Sequence, residues 1–334
     1  MYDISSSNID KLIIHKVGNK LRADSLTLSE SLTPSSNDIN DLLLRNYLKP
    51  IINKNNSYEF FHDSDINLNE IFHFSNEIFK NRELFIENSR NIAKSLYNAS
   101  THPNISSGEL IIVLYNNIKI EENLHFAIGL YKTEIKENYL EIEQKNEQLT
   151  ISNKTGISVN KLQKAALILD NNEVFAIDTL SQKTKYWFND FLQIRMRKTP
   201  NNNASIANKI LQKVFTEIKK PDEAIKLTNE LSDKINSEEN LKIEDLRDIS
   251  KKYINENSFD EIIEKVSTKE DISIELTDDI NSEYLQKLNK RKKQKIKIVK
   301  DIELMISSSS FTIHDMKLVE SNHGTQVSFT ILDQ

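Results

Sequence analysis

No cysteine occurs among the 334 residues. That absence excludes disulfides, thiolate nucleophiles and cysteine-based zinc or iron–sulfur sites, and it fits a reducing compartment. Only five glycines are present, and no glycine-rich phosphate loop, HExxH or Gly-x-Ser-x-Gly appears. The common signatures of nucleotide, zinc-peptidase and serine-hydrolase chemistry are therefore missing. No apolar run approaches the roughly eighteen residues that a membrane helix needs. The opening MYDISSSNIDKLIIHKV has neither a basic leader nor an apolar core of secretory length. These features predict a cytoplasmic chain with no membrane span, no cofactor and no enzymatic activity.

What the sequence does hold is concentrated between Gly108 and Thr179, in the apolar runs Leu110–Tyr115, Phe126–Tyr131, Ala165–Leu169 and Val174–Ile177. Each is too short for an independent helix and rich in Val, Ile, Leu, Phe or Tyr, which reads as strand. LIIVLY and HFAIGLY barely alternate, so the sheet is predicted to be covered on both faces and to form the centre of a domain. Charged residues make up 28% and hydrophobic ones 38%, the balance of a globular chain long enough for two domains.

Ahead of that core, Asn8–His15 and Leu21–Leu26 flank Val17-Gly18-Asn19-Lys20, and the Gly-Asn pair predicts a tight hairpin turn. Ile39, Leu42, Leu43 and Tyr47 recur at helical spacing, with Pro50 predicted to end the helix. Leu68, Ile71, Phe72, Ile78 and Phe79 mark a second helix, and Phe85, Ile92, Ala93, Leu96 and Tyr97 a third. Lys136–Lys161 is polar: Tyr139–Glu143 reads as strand or loop and Ser158–Leu162 as a helical turn. Asn171-Asn172 suits a hairpin turn, because Asn enters the left-handed region readily. A long helix is predicted from near Gln182, with Trp187, Phe188, Phe191 and Leu192 on its apolar face, until Pro200 and three asparagines break it.

From Asn203 the pattern turns helical, with Ile206, Ile210, Val214 and Ile218 in one stripe, a second helix from Pro221 and a third around Leu246, Ile249 and Tyr253. Ser258 and Glu261 match a capping box for a fourth. Ile272, Ile274 and Leu276 alternate as in a strand, and a short helix is predicted around Tyr284–Leu288. Strands at Ile296–Val299, Ile302–Ile306, Phe311–Val319 and Gln326–Leu332 close the chain, the last pair joined at His323-Gly324. The prediction is an α+β protein: residues 1–200 a mixed β-sheet packed with helices, residues 201–334 a helical region followed by a small β-rich one.

Net charge is −6, so the molecule as a whole repels nucleic acid and a basic surface has to be local. The charge is blocked. Gln182–Lys220 holds nine basic residues against Asp190 and Glu217, Pro221–Glu283 nineteen acidic against eight basic, and Tyr284–Lys300 eight basic and no acidic. Lys287, Lys290, Arg291, Lys292, Lys293, Lys295 and Lys297 form the sharper candidate for contact with DNA phosphates; the plainer reading is a solvated linker that balances the acidic block. Arg195, Arg197 and Lys198 with Lys209 and Lys213, across the asparagine break, form a second candidate; such residues also serve simply to keep an amphipathic helix soluble. Tyr186, Trp187 and Phe188 are better explained by burial than by stacking on bases. The seven histidines are scattered without metal-ligand spacing, and Glu141 with Glu143-Gln144-Lys145 is only a chance-level match to an acidic-x-Lys nuclease strand.

Several stretches together resemble the bacterial nucleoid-associated protein family of the NdpA type. They are Ile9-Asp10-Lys11-Leu12-Ile13-Ile14-His15-Lys16-Val17, Gly108-Glu109-Leu110-Ile111-Ile112-Val113, His125-Phe126-Ala127-Ile128-Gly129-Leu130, Lys164-Ala165-Ala166-Leu167-Ile168-Leu169-Asp170 and Phe188-Asn189-Asp190-Phe191-Leu192. Phe259 to Leu288, ahead of the terminal strands, is similar to the family's closing region. Gln193 and Ser307–Ser310 depart from it, standing where glycine would be expected. The resemblance implies association with the nucleoid and binding of double-stranded DNA, without an enzymatic reaction. The competing expectation is a protein–protein adaptor, whose acidic and basic blocks dock other nucleoid proteins or the subunits of a nucleic-acid-processing or anti-phage defence assembly. An open strand edge would also suit a homodimer.

Overall fold

The computed structural model describes residues 2–53, 57–145, 148–179, 184–237, 240–290, 294–299, 302–306, 311–321 and 324–333. The protein has an α+β fold and divides into two compact units, Met1–Met196 and Arg197–Gln334.

The first unit is built on a nine-stranded sheet. Its order is Ile194–Met196, Ser57–Phe60, Glu173–Asp178, Lys164–Leu169, Asn123–Thr133, Gly108–Ile120, Asn8–Val17 and Leu26–Thr27, with Tyr2–Asp3 also pairing with Gly108–Ile120. Every described pairing is antiparallel, so the sheet is not the mixed one predicted. The four apolar runs are adjacent strands at its centre, buried on both faces as their sparse alternation implied. Ile111, Val113 and Tyr115 face one layer, where the helical segments from Asn37 to Ile52 supply Leu43, Tyr47, Leu48 and Ile51. Leu110, Ile112 and Leu114 face the other way and are equally buried. A Cβ on Gly129 would sit 2.6 Å from the Tyr131 ring. Glycine there leaves room for the buried Tyr115–Tyr131 hydroxyl pair, 3.0 Å apart.

Several local predictions fail for identifiable reasons. The Gly18-Asn19 turn is not tight: Asn19 is buried and its amide donates to the carbonyls of His102 and Ile105, each at 2.8 Å. The chain therefore loops wide and returns only as the short strand Leu26–Thr27. Pro50 does not end its helix. A π-helical turn, Leu44–Leu48, precedes it, with the Lys49 N–H bonded to the Leu44 carbonyl five residues back, and Lys49–Ile52 continues as helix. That wider turn tolerates a residue without an N–H. The long helix predicted from near Gln182, a start that lies outside the described residues, is instead a π-helix at Tyr186–Leu192. Gln193 then turns left-handed (φ 50°) and the strand Ile194–Met196 follows. Ser57–Phe60 is a strand that the sequence did not announce. Lys136–Lys145 and Gln148–Ile157 form a long hairpin paired with nothing else, and residues 158–163 hold no helical turn.

In the second unit, Pro200–Glu217 is the central helix, burying Ile206, Ala207, Ile210, Leu211 and Val214. Pro221–Ser237, Ile243–Ser250, Glu256–Glu270 and Ser282–Lys290 are the other helices described, and the hairpins Gln294–Val299 with Ile302–Ile306 and Phe311–Ser321 with Gly324–Asp333 close the chain. Asn255, not Ser258, caps Glu256–Glu270, its side chain accepting from the Asn257 N–H. The predicted Ile272–Leu276 strand is absent: the Glu275 N–H donates to the Asp278 carboxylate at 2.8 Å, closing a turn, and Asp279–Asn281 pairs with Asn240–Lys242 instead. His323 and Ser307–Ser310 lie outside the described residues.

His15 shows how tightly the first sheet is covered. It is 1% exposed; its Nδ1 accepts from the Ser29 N–H at 3.1 Å, so Nε2 carries the proton and donates to Ser89 Oγ at 3.1 Å. Burial, with a smaller contribution from Arg90, lowers its pKa from 6.5 to about 4. Between those values the unfolded chain binds a proton that the folded chain does not, so acidification destabilises the fold. In urea denaturation at a series of pH values, the stability advantage of the wild type over His15→Gln is expected to shrink by about 3 kcal/mol from pH 7 to pH 4, at about 1.36 kcal/mol per pKa unit. A pH-independent difference would show that His15 does not titrate in this way.

Candidate nucleic-acid interface

In the second unit, the basic residues cluster around the start of the Pro200–Glu217 helix. Thr199 caps it, accepting from the Asn202 N–H at 3.2 Å, and Pro200 sits in the first turn, where a missing N–H costs little. The asparagines do not break the chain's helical course but begin it. Asn202 and Asn203 are buried, their amides donating to the carbonyls of Arg197 at 2.7 Å and Asp279 at 2.8 Å. Lys198, just ahead of the cap, reaches Glu275 at 2.7 Å and Asp278 at 3.7 Å. The hydrogen bond raises the pKa of Lys198 and lowers that of Glu275, so both remain charged. Lys209 lies 2.6 Å from Glu270, whose side chain is 6% exposed. Arg197 is partly buried, as is Lys213, and for Lys213 no carboxylate partner is found among the described residues.

The C-terminal tract begins in a helix and continues into a strand. Lys287, on Ser282–Lys290, pairs with Glu283 one turn earlier at 2.6 Å, which lowers the pKa of Glu283. Lys290 ends that helix, Lys295 and Lys297 lie on the strand Gln294–Val299, and Arg291, Lys292 and Lys293 lie outside the described residues. Arg195 belongs to the first unit. It stands on the strand Ile194–Met196 opposite Glu59, with Nε 2.7 Å from that carboxylate and the guanidinium 4.7 Å over the Phe61 ring. Arg195, Lys198, Lys209 and Lys287 thus each already hold a carboxylate. A phosphate arriving at any of them has to displace it.

The sequence reading overlooked a second set of charges, in the first unit. Lys132 and Lys164, at the ends of the apolar strands Asn123–Thr133 and Lys164–Leu169, are both buried. Lys132 Nζ donates to the Ser106 carbonyl at 2.8 Å and lies 3.4 Å from Glu134; Lys164 Nζ lies 2.9 Å from Asp178. Both ammonium groups approach the Tyr186 ring, at 5.7 and 5.5 Å from its centroid, and the Tyr186 phenol donates to Glu134. Thr184 adds its N–H and hydroxyl to Asp178, at 3.2 and 2.6 Å. Burial pushes the Lys132 pKa down and the Tyr186 pKa well up. With each charge partnered, the cluster braces the sheet end. The one sequence signal for it was a lysine bounding each apolar run.

Tyr186, Trp187 and Phe188 are buried, as predicted, and stack within the protein: Trp187 against Phe191 and Phe188 against Tyr58. His125 bonds Asp170 at 2.6 Å, and Glu141 pairs with Lys154 at 3.3 Å. Among the described residues, no group of three or more His, Cys, Asp or Glu is placed to hold a metal ion, and no helix is long and apolar enough to cross a membrane.

The fold is that of an α+β protein whose basic and acidic residues are segregated into blocks along the chain. The family described as nucleoid-associated protein YejK matches residues 13–331, nearly the whole length, and the chain belongs to that family. The resemblance read from the opening strand, the core strands and the closing region is therefore borne out. The role is a nucleoid-associated one, and the family is not a known enzyme family. No curated protein sequence matches the chain.

Breaking the buried brace tests its structural weight. Lys164→Met takes the Lys164 ammonium from Asp178, whose side chain is 0% exposed. Removing one partner of such a pair costs about 3–5 kcal/mol. Urea unfolding of the full chain is expected to show a loss of that order, and Lys164→Met combined with Asp178→Asn to recover part of it.

Proposed function

We propose that this protein is a non-catalytic nucleoid component that binds double-stranded DNA through the phosphate backbone with little sequence preference. The observation that carries the reading is the run of eight basic residues without an acidic one from Tyr284 to Lys300, in a chain of the nucleoid-associated family. Lysines act mainly as point charges on phosphate, so such a tract holds the duplex without reading its bases. Lys290, Arg291, Lys292, Lys293, Lys295 and Lys297 supply the main contacts. Lys213 adds to them; Arg195, Lys198, Lys209 and Lys287 join only where phosphate displaces their carboxylates, and Arg197 only where phosphate displaces the interaction it already makes.

A second reading, a protein–protein adaptor, is favoured by one specific observation: Arg195, Lys198, Lys209 and Lys287 are already engaged with carboxylates. In that reading the basic tract docks an acidic protein partner of the nucleoid or of a defence assembly.

Fluorescence anisotropy with arbitrary duplex DNA over a salt series separates the two. With four to six phosphate contacts, log K is expected to fall against log salt with a slope of roughly −4 to −5. Charge reversal of Lys290, Arg291, Lys292 and Lys293 is expected to abolish binding at moderate salt, whereas Glu275→Gln, which leaves Lys198 only the longer contact with Asp278 at 3.7 Å, is expected to raise affinity modestly. No binding by the wild type at low salt would leave the adaptor reading.

A further inference from the structure

The hairpin Lys136–Lys145 with Gln148–Ile157 sorts its side chains in an unusual way. Successive residues of a strand point to opposite faces. On one face the register sets Asn138 beside Thr155, Leu140 beside Asn153, Ile142 beside Ile151 and Gln144 beside Leu149. None of these is charged; the fifth pair on this face, Lys136 with Ile157 at its base, carries one lysine, which Glu109 holds at 2.6 Å. Glu137, Tyr139, Glu141, Glu143 and Lys154 all belong to the other face, where Tyr139 covers Gly156 and Glu141 pairs with Lys154. Beyond that lysine the face is open among the described residues: Leu140 is 67% exposed, Ile142 67%, Leu149 77% and Ile151 66%. Neither strand pairs with any other described strand.

The face also has an internal symmetry that the sequence explains. Leu140-Glu141-Ile142-Glu143-Gln144-Lys145 and Leu149-Thr150-Ile151-Ser152-Asn153-Lys154 repeat one pattern, Leu-x-Ile-x-amide-Lys. In the antiparallel register, a two-fold axis through the Ile142–Ile151 pair carries Leu140 onto Leu149 and Gln144 onto Asn153. An isologous contact sets the same patch of two identical chains against itself, and the repeat gives this patch like residues at both of its ends. Its apolar centre is complementary to its own copy, and primary amides, being both donors and acceptors, pair with their own kind.

We propose that this face, from Asn138 outward, is an interface with a second copy of the chain, the two hairpins packing apolar face to apolar face. An isolated two-stranded hairpin is marginally stable in water, and a second layer supplies the packing that each lacks. Ten residues per strand span about 34 Å. With a width of roughly 10 Å, two such faces bury about 700 Å² in projection, below the roughly 1,200–2,000 Å² of stable complexes. The arms alone therefore form a dimer in exchange with monomer.

Sedimentation velocity of the full chain, over a concentration series reaching high micromolar, is expected to show a monomer–dimer equilibrium. Ile142→Lys with Ile151→Lys, both at exposed positions, is expected to raise its dissociation constant at least about tenfold, or 1.4 kcal/mol, with an unchanged melting transition as the check on folding. Because the chain has no cysteine, Ile142→Cys or Ile151→Cys supplies a unique thiol. A short bismaleimide is expected to link two copies through either, and not through Thr150→Cys on the opposite face. A wild type monomeric throughout the series, an unaltered dissociation constant in the double lysine variant, or equal cross-linking through Thr150→Cys would each overturn the proposal.

Discussion

A sheet buried on both faces leaves no wet side on which a polar strand end can rest, and this constraint governs the first unit. Where Asn123–Thr133, Lys164–Leu169 and Glu173–Asp178 run out, their polar residues meet beneath Tyr186 rather than in solvent. Two lysines and two carboxylates there neutralise one another, and Tyr186, Thr184 and the Ser106 carbonyl complete their hydrogen bonding. The arrangement also fixes the π-helix that begins at Tyr186, whose Trp187, Phe188 and Phe191 are buried. Sheet, brace and π-helix are thus parts of one solution to dry packing. His15 obeys the same rule on another strand, held neutral by burial and by two hydrogen bonds that fix its tautomer.

The centre of this fold was legible because its signal is local. Leu110–Tyr115 and Ala165–Leu169 contain almost no polar position, and only a strand covered on both faces accommodates that. Asn172, left-handed at φ 65°, was likewise readable from its type. Some of the failures arise because the deciding contact is distant in sequence. Asn19 opens its turn because of the carbonyls of His102 and Ile105, more than eighty residues on. Asn203 looked like a breaker and is instead a buried amide bonded to the Asp279 carbonyl, 76 residues away. The hairpin from Lys136 was ambiguous because its alternation places apolar residues on a face that carries no core.

The candidate interface was legible as charge but not as pairing. A count along the chain marks Gln182–Lys220 as basic, yet Lys198 is answered by Glu275, 77 residues away, and Lys209 by Glu270. Exposed ion pairs of this kind contribute little to stability, about 0–1 kcal/mol, and are screened by salt. They matter more for binding, since each is a competitor for phosphate already in place. Salt weakens the internal pair and the external contact together, so a surface built from such cations grips a polyanion less firmly than its formal charge suggests. The C-terminal tract differs in degree: no acidic residue lies between Tyr284 and Lys300, although Glu283 holds Lys287 and the strand register sets Glu303 opposite Lys297.

Weak grip per chain and weak pairing between chains reinforce each other when the two proposals are taken together. A second copy held through the hairpin arms makes the second DNA contact intramolecular, and its effective concentration can reach the millimolar range for a short connection. Avidity can then exceed single-site affinity by about 10²–10⁴ without any new kind of contact. The coupling also runs in reverse: two chains bound near one another on one duplex are concentrated for arm pairing, so a dimer too weak to dominate in free solution forms on DNA. An acidic protein in this arrangement would be dispersed when alone and clustered where the polymer is, and higher salt would loosen both the contacts and the assembly that depends on them. Such behaviour requires an apolar pairing face on the same chain as the basic tract, and this chain carries a candidate for each: the repeated Leu-x-Ile-x-amide-Lys strands and the run that follows Tyr284.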